Sequence, residues 1–443
     1  MASESAGGGR VSTMAAGLIG SEILKIAGEI RAMVAEGTEV CNLTVGDFSP
    51  AEFRIPALLE SAIGDALRSG ETNYPPSEGI GALRTAVADF NRRRLGLDYP
   101  TECILVTGGS RPGIYATYRA LVDPGDRVVY PVPSWNNNHY VRLVGAEGVP
   151  VVCREEDAFL PTRELLEPFV RGARLLALNS PLNPTGTAFT AEALGDICDL
   201  VLEENRRRGP GERPLYVMYD QVYWMLTFEP TVHVDPVSLR PEMEPYTVFV
   251  DGTSKAFAAT GVRVGWTVGP ADVTARMASI LGHVGAWAPR AEQVATARLL
   301  GEDGEIDAYH ATMKEGVRGR LDALYAGLVR LREAGFPVDA IVPMGAIYLS
   351  ARFALHGRRA PGGVLRTNEE VRRYLLEAAG LGVVPFQAFG MPDDSGWFRL
   401  SVGATSLPQI EAMFVRLRQA LDALDAGGTV APEPGREEIP AEG

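Results

Sequence analysis

The chain predicts an α/β protein: a large domain with a mostly parallel central sheet covered by helices, plus a smaller α+β domain. Three observations carry this. Between Cys103 and about Val268, seven short β-rich runs alternate with helical stretches, the pattern of parallel strands joined by covering helices. The residues with chemical potential fall in loops directly after those runs, where ligands sit in such sheets. From Ile306 to about Glu333 a long helical pattern without internal proline reads as a connector, and shorter strands and helices follow it.

Composition agrees. With 443 residues, 46% of them hydrophobic, the chain can bury a sizeable core in two domains. A net charge of −14 without a basic block argues against nucleic acid or an anionic membrane as the main partner. No apolar run is long enough to span a bilayer, and Met1 to Arg10 does not read as a secretory signal, so the expected location is cytoplasmic. Cys41, Cys103, Cys153 and Cys198 are scattered, and the five histidines do not pair at ligand spacings. Neither disulfides nor a metal site is expected.

Taken in order, residues 1–14 look disordered on composition and 15–60 open the smaller domain. Ile23, Ile26, Ala27 and Ile30 recur on a helical period within Ser21 to Val34, with Ser21 as a plausible cap. Val40 to Val45 reads as a strand running into Gly46-Asp47-Phe48, where a glycine lets a backbone come close to a ligand. The large domain, 61–305, begins before Asn73-Tyr74-Pro75-Pro76-Ser77-Glu78-Gly79, which opens a helix reaching about Leu95.

The expected strands are Ile104 to Thr107, Arg127 to Tyr130, Val149 to Cys153, Leu175 to Asn179, Leu215 to Tyr219, Thr247 to Asp251 and Val264 to Val268. After the first comes Gly108-Gly109-Ser110-Arg111-Pro112-Gly113, leading into a helix over Ile114 to Leu121. Unpaired amides and a hydroxyl at a helix N-terminus suit a phosphate, and Arg111 can add charge. Trp135 follows the second strand, Asn179-Ser180-Pro181-Leu182-Asn183-Pro184-Thr185-Gly186 follows the fourth, and Asp220 ends the fifth with Tyr223 three residues on.

The sixth strand runs into Asp-Gly-Thr-Ser-Lys-Ala-Phe-Ala-Ala-Thr-Gly-Val-Arg-Val-Gly-Trp, Asp251 to Trp266. Lys255 stands there among small and apolar residues. A lysine in a dry pocket loses part of its preference for the charged form, and its neutral amine can then attack a carbonyl to form a Schiff base. Ser254 and Arg263 are placed to hold a phosphate. Past the connector, 306–335, the second part of the smaller domain spans 336–424. Its expected strands are Ala346 to Arg352, Gly382 to Pro385 and Trp397 to Val402, and its helices Asn368 to Ala379 and Ser406 to Leu424. Arg399 lies on an alternating apolar strand, where its planar fork suits a carboxylate. Residues 425–443 read as a disordered tail.

The Lys255 segment closely resembles the cofactor-lysine signature of class I aminotransferases, a family that uses pyridoxal 5'-phosphate (PLP) on the type I fold. The Asn179 to Gly186 string resembles that family's Asn-x-Pro-x-Asn-Pro-Thr-Gly, and the Tyr74 segment its Tyr-x-x-x-x-Gly-x-x-x-Leu-Arg. Arg399-Leu400-Ser401 matches its Arg-x-Ser. Two departures stand out: the Glu-Pro usual between Gly46 and Asp47 is missing, and Gln221 stands where Glu is usual.

What the resemblance implies is specific. Lys255 would hold PLP covalently and then act as general base and acid, and Gly109, Ser110, Arg111, Ser254 and Arg263 would hold the phosphate. Trp135 would stack on the pyridine ring, Asp220 would keep its nitrogen protonated, and Asn183 and Tyr223 would bond its phenolic oxygen. Gly46, Trp135, Asn183 and Arg399 would meet the substrate. Tyr74 would cross a homodimer interface to the neighbouring subunit's phosphate. The expected reaction moves the amino group of an L-amino acid, aspartate or an aromatic one, to a 2-oxo acid such as 2-oxoglutarate. Alternatives are another reaction on the same fold, a β-lyase or decarboxylase, or a non-catalytic PLP-binding regulatory module. A dicarboxylic donor needs a second cation, with Arg54 and Arg290 as candidates by position; an aromatic or aliphatic donor needs an apolar wall, to which Phe48 or Trp224 could contribute.

Overall fold

The computed structural model describes residues 10–18, 20 and 22–424. The proposed Ser21 cap, the expected tail 425–443 and the first nine residues of the expected disordered N-terminus lie outside them. Within the rest of that N-terminal stretch, Thr13–Ala16 forms one helical turn, capped by the Ser12 hydroxyl accepting from the Ala15 amide at 3.2 Å.

The first strand, β1 (Cys41–Asn42), is much shorter than the six residues expected and pairs in parallel with Leu381–Gly382. The chain stops laddering there because the Leu43 carbonyl accepts from Ser401, a strand of another sheet, and the backbone turns toward it. The large sheet has seven strands: β2 (Ile104–Thr107), β3 (Arg127–Val132), β4 (Glu147–Val152), β5 (Leu175–Asn179), β6 (Tyr216–Asp220), β7 (Thr247–Gly252) and β8 (Gly265–Val268). Their order is β2-β8-β7-β6-β5-β3-β4. Only β8 runs against its neighbours, so β2, β3, β5, β6 and β7 all point their carboxyl ends the same way.

Successive residues on these strands bury against opposite layers, as a period of two requires. Leu176, Leu178, Val217, Tyr219 and Phe249 pack on one side, against Leu83 and Phe90 of helix Gly81–Leu95 and Leu194 and Val201 of helix Ala191–Arg207. Leu175, Ala177, Met218, Val248 and Val250 pack on the other, against Ile114 and Tyr118 of helix Ser110–Leu121 and Met277 of helix Ala271–Val284. Burial on both faces explains why the strands read as continuous apolar runs. Each such side chain contributes about 1.5–3 kcal/mol.

Helix Ser110–Leu121 starts four residues earlier than its periodicity suggests, because Gly109 at φ 85° and ψ 172° turns the chain sharply and Pro112 sits in the first turn, where no amide is needed. The connector helix likewise starts early, at Asp303, where Arg93 and Arg94 hold that carboxylate at 2.9 and 3.0 Å. It ends at Glu333. Beyond it, Val384–Pro385, Trp397–Ser401, Tyr348–Phe353 and Val338–Ala340 form an antiparallel four-stranded sheet in that order. Helices Asn368–Ala379 and Leu407–Asp422 share its apolar cluster.

Candidate active site

The carboxyl ends of β2, β3, β5, β6 and β7 converge with the smaller sheet on a cavity of about 620 Å3. Lys255, Ser254, Ser110, Arg111, Trp135, Asn183, Asp220, Tyr223, Arg263, Gly46 and Arg399 all line it, although they come from segments up to 353 positions apart in the chain (Gly46 to Arg399). Two of the residues expected to hold the cofactor do not. Gly109 stands behind the cavity wall, where a Cβ would fall 2.0 Å from the Arg263 Nη2, so glycine is what lets that guanidinium reach its place. Tyr74 is 82% exposed, its ring edge-on to Trp287 at 5.4 Å between centroids, and does not reach the cavity of its own chain.

Lys255 sits in the one-turn helix Thr253–Ala256 after β7, and its Nζ donates to the Gly46 carbonyl at 2.6 Å. Burial lowers its pKa to about 8; Asp47 opposes that shift, and Arg399, Arg111 and Arg263 add to it. At neutral pH a useful fraction of the amine is therefore unprotonated. Asp220, across the cavity, is pushed up to about 6 by burial, held back by the Val222 amide and by Lys255. Its Oδ1 accepts from that amide at 3.1 Å, and among the described residues no cation pairs with it.

One end of the cavity is built for an anion. The Ser110 and Arg111 amides, at the N-terminus of a twelve-residue helix, have no acceptor among the described residues. The Ser110 and Ser254 hydroxyls have no protein partner among the described residues, and both face the same space. Arg263, held in the left-handed region at φ 59°, donates to the carbonyls of Thr260 and Gly108 at 2.8 and 2.9 Å and pairs with no carboxylate among the described residues. Burial and the nearby Arg111 lower its pKa.

The other end is built for a carboxylate. Arg399 is 1% exposed, yet no acidic side chain meets it among the described residues. Its Nη1 donates to the Asn183 Oδ1 at 3.2 Å, its Nη2 to the Thr44 carbonyl at 2.5 Å, and its Nε has no partner among the described residues. A buried guanidinium with an unused donor is costly unless a ligand completes it. The Asn183 side-chain nitrogen is likewise left unused. Aldehyde-bearing PLP fits this set of groups: an amine, an unpaired carboxylate for a ring N–H, and a phosphate cradle, all lining one cavity.

A family model described as aminotransferase class I and II matches residues 38–417. The chain belongs to this family. As a class I and II aminotransferase it is a PLP-dependent transaminase of fold type I, which excludes a merely regulatory module as its reading. Aspartate aminotransferase of Geobacillus stearothermophilus is 30% identical over 420 residues, covering 94% of this chain and 99% of that one. The solved aspartate aminotransferase of Rhizobium meliloti superposes with a TM-score of 0.85 at 29% identity, over 94% of this chain and all of that one. The Thermus thermophilus enzyme solved with maleate gives 0.83 at 28%, over 93% and 100%.

None of the four residues expected to read the substrate side chain lines the cavity of its own chain. Arg54 pairs at the surface with Glu60 at 2.9 Å and Arg290 with Glu71, and neither lines the cavity. Phe48 packs on Phe53, and the Trp224 Nε1 is tied to Asp251 at 2.8 Å, so neither supplies an apolar wall. Arg54 and Phe48 are taken up by neighbours close in the chain, Glu60 and Phe53, and Arg290 and Trp224 by partners 219 and 27 positions away.

Sequence reasoning in turn missed Asp47, Thr260, Tyr140 and Tyr348, all of which line the cavity. Asp47 was within sight, since it follows Gly46 directly; its Oδ1 accepts from the Phe48 amide at 2.8 Å and the Thr260 hydroxyl at 2.6 Å. Tyr348 gave no signal beyond being an aromatic on a predicted strand.

Proposed function

We propose that this aminotransferase takes a dicarboxylic amino acid, aspartate or glutamate, as donor and 2-oxoglutarate as acceptor. One observation carries the reading: Arg111 projects into the cavity with its Cζ 4.4 Å over the Trp135 ring and, among the described residues, no ion-pair partner. With Arg263 given to the phosphate, Arg399 and Arg111 are the other two cavity guanidinium groups without a carboxylate partner among the described residues, one for each carboxylate of such a substrate. The names of the relatives support it.

Bound here, PLP supplies a carbonyl for covalent capture of an amine and a protonated ring that draws electrons from the substrate Cα. The chain's own residues do the rest. Lys255 anchors the group through Nζ; Asp220 holds the proton on the ring nitrogen; Tyr223 and the free Asn183 nitrogen donate to the phenolic oxygen. Ser110, Ser254, Arg263 and the first-turn amides hold the phosphate. Arg399 grips the α-carboxylate beside Gly46. The released Lys255 Nζ takes the Cα proton and returns it, within reach because both charged ends of the substrate are fixed. Trp135 covers the ring and excludes water. Tyr74, too exposed to serve its own chain, reaches the phosphate of a second copy in a homodimer. The free, buried cysteines are in keeping with a cytoplasmic enzyme.

A panel of L-amino acids with 2-oxoglutarate tests the substrate reading. Aspartate or glutamate is expected to lead, and Arg111→Ala to lower kcat/KM for them by roughly tenfold to a hundredfold, while monocarboxylic donors change little. Equal losses for both donor classes would sink it.

The Lys255 amine makes a second prediction, about pH. Its folded pKa is depressed to about 8 from 10.5, so the nucleophilic neutral form is scarce well below pH 8 and dominant above it. The rate at which apoenzyme forms its borohydride-reducible adduct with PLP should therefore rise with pH and level off above about 8. A rise continuing to pH 10 and beyond would mean that burial does not tune this amine.

A further inference from the structure

We propose that Tyr348 is a positioning residue that serves both halves of the site at once: its hydroxyl directs the hydroxyl of Tyr223, and its ring holds the Arg399 guanidinium. This rests on the cofactor and substrate reading above and names a residue that reading does not use.

The register explains how one side chain reaches both. Tyr348 pairs with Ser401 across the smaller sheet and Ser350 with Arg399, so Tyr348 and Arg399 are diagonal neighbours on the same face. The Arg399 Cζ lies 4.8 Å from the Tyr348 ring centroid and 4.9 Å from that of Phe389. A carboxylate would hold a buried guanidinium more firmly, but it would also occupy the fork that the substrate needs. Two aromatic rings stabilise the cation and leave its donors free.

A phenylalanine would do that much. The hydroxyl adds a second contribution. The Tyr348 Oη is 2.6 Å from the Tyr223 Oη, both side chains are buried, and burial keeps both phenols protonated. Each oxygen brings one proton. When Tyr348 donates to Tyr223, the Tyr223 proton is left for an acceptor in the cavity, and a hydroxyl that accepts a hydrogen bond donates more strongly. Gly46 makes room for this pair, since a Cβ there would come within 2.7 Å of the Tyr348 hydroxyl.

The two roles separate in the holoenzyme. Stronger donation by Tyr223 to the phenolic oxygen makes that oxygen less basic, which lowers the pH midpoint at which the visible absorbance of the Lys255-linked cofactor changes. Tyr348→Phe is expected to raise that midpoint by roughly half a pH unit, with the maleate dissociation constant unchanged within about twofold. Tyr348→Leu should raise the midpoint similarly and also weaken maleate by roughly tenfold. Tyr223→Phe should raise the midpoint more than either, and adding Tyr348→Phe to it should produce no further shift. A Tyr348→Phe midpoint equal to wild type, or an additive shift in the double variant, overturns the hydroxyl role. Unchanged maleate binding in a folded Tyr348→Leu protein overturns the ring role. A wild-type protein with no pH-dependent visible band would remove the cofactor reading itself and this proposal with it.

Discussion

Lys255→Ala is expected to abolish transamination, with turnover falling by at least about 10^4-fold, because one nitrogen supplies both the covalent anchor and the moving proton. Loss of the anchor alone would not empty the site. Arg263 and the amides of the helix at Ser110 do not depend on it, and Asp220 loses only a charge that lowers its pKa, so the variant should still bind PLP, reversibly and without a reducible adduct at position 255. Nor should it unfold. Among the described residues the Lys255 Nζ makes a single hydrogen bond, to the Gly46 carbonyl, and its charged form is disfavoured in the folded protein, as its depressed pKa shows. Replacing it removes a penalty present below about pH 8 rather than a support. Steady-state kinetics, borohydride reduction followed by peptide mass analysis, and a thermal melt together check this. Turnover within tenfold of wild type would refute the assignment of the proton to Lys255.

Replacing Arg399 should produce the second-largest loss. Its guanidinium is buried, unpaired by any described carboxylate, and left with an unsatisfied Nε, so a substrate carboxylate would complete it. Truncating one partner of a desolvated charge pair costs about 2–5 kcal/mol, which is roughly 30-fold to several-thousand-fold in kcat/KM. Arg399→Leu should lie at the upper end of that range and bind maleate hardly at all. Arg399→Lys keeps the charge but not the fork, and should recover only part of the loss, since an ammonium cannot donate to Asn183, Thr44 and a carboxylate in one plane. A folded Arg399→Leu enzyme with nearly normal kcat/KM for aspartate would mean that the α-carboxylate is held elsewhere.

The two positions also show how differently legible the residues were. Lys255 announces itself in the sequence because its neighbours within about ten positions, Ser254 and Arg263, belong to the same loop between β7 and β8. Asp220 ends β6 with Tyr223 three residues on, and Ser110 and Arg111 follow β2 after two glycines. Such groups depend on one strand end each, and a short continuous apolar run stopping at a glycine or a polar residue marks strand ends well. Where the reading slipped locally, the cause was a contact from afar: β1 was cut short by Ser401, and the connector helix was extended by the Arg93 and Arg94 pairing with Asp303.

By itself, then, the sequence determined the alternation of elements, the lysine and the order of the loops around it, because hydrophobic period and short-range motif are properties of neighbouring residues. Only the tertiary structure decided which cations remain free. Arg290 reads in the sequence as no less available than Arg111 and Arg399, yet it pairs with Glu71, 219 positions away, outside the cavity. The tertiary structure also decided that Tyr348 stands between Tyr223 and Arg399, the second contact being set by the register of two antiparallel strands with 43 residues between them. The physical reason is common to both cases: a charge or hydroxyl is defined functionally by what it is not bonded to, and that depends on every segment that folds against it.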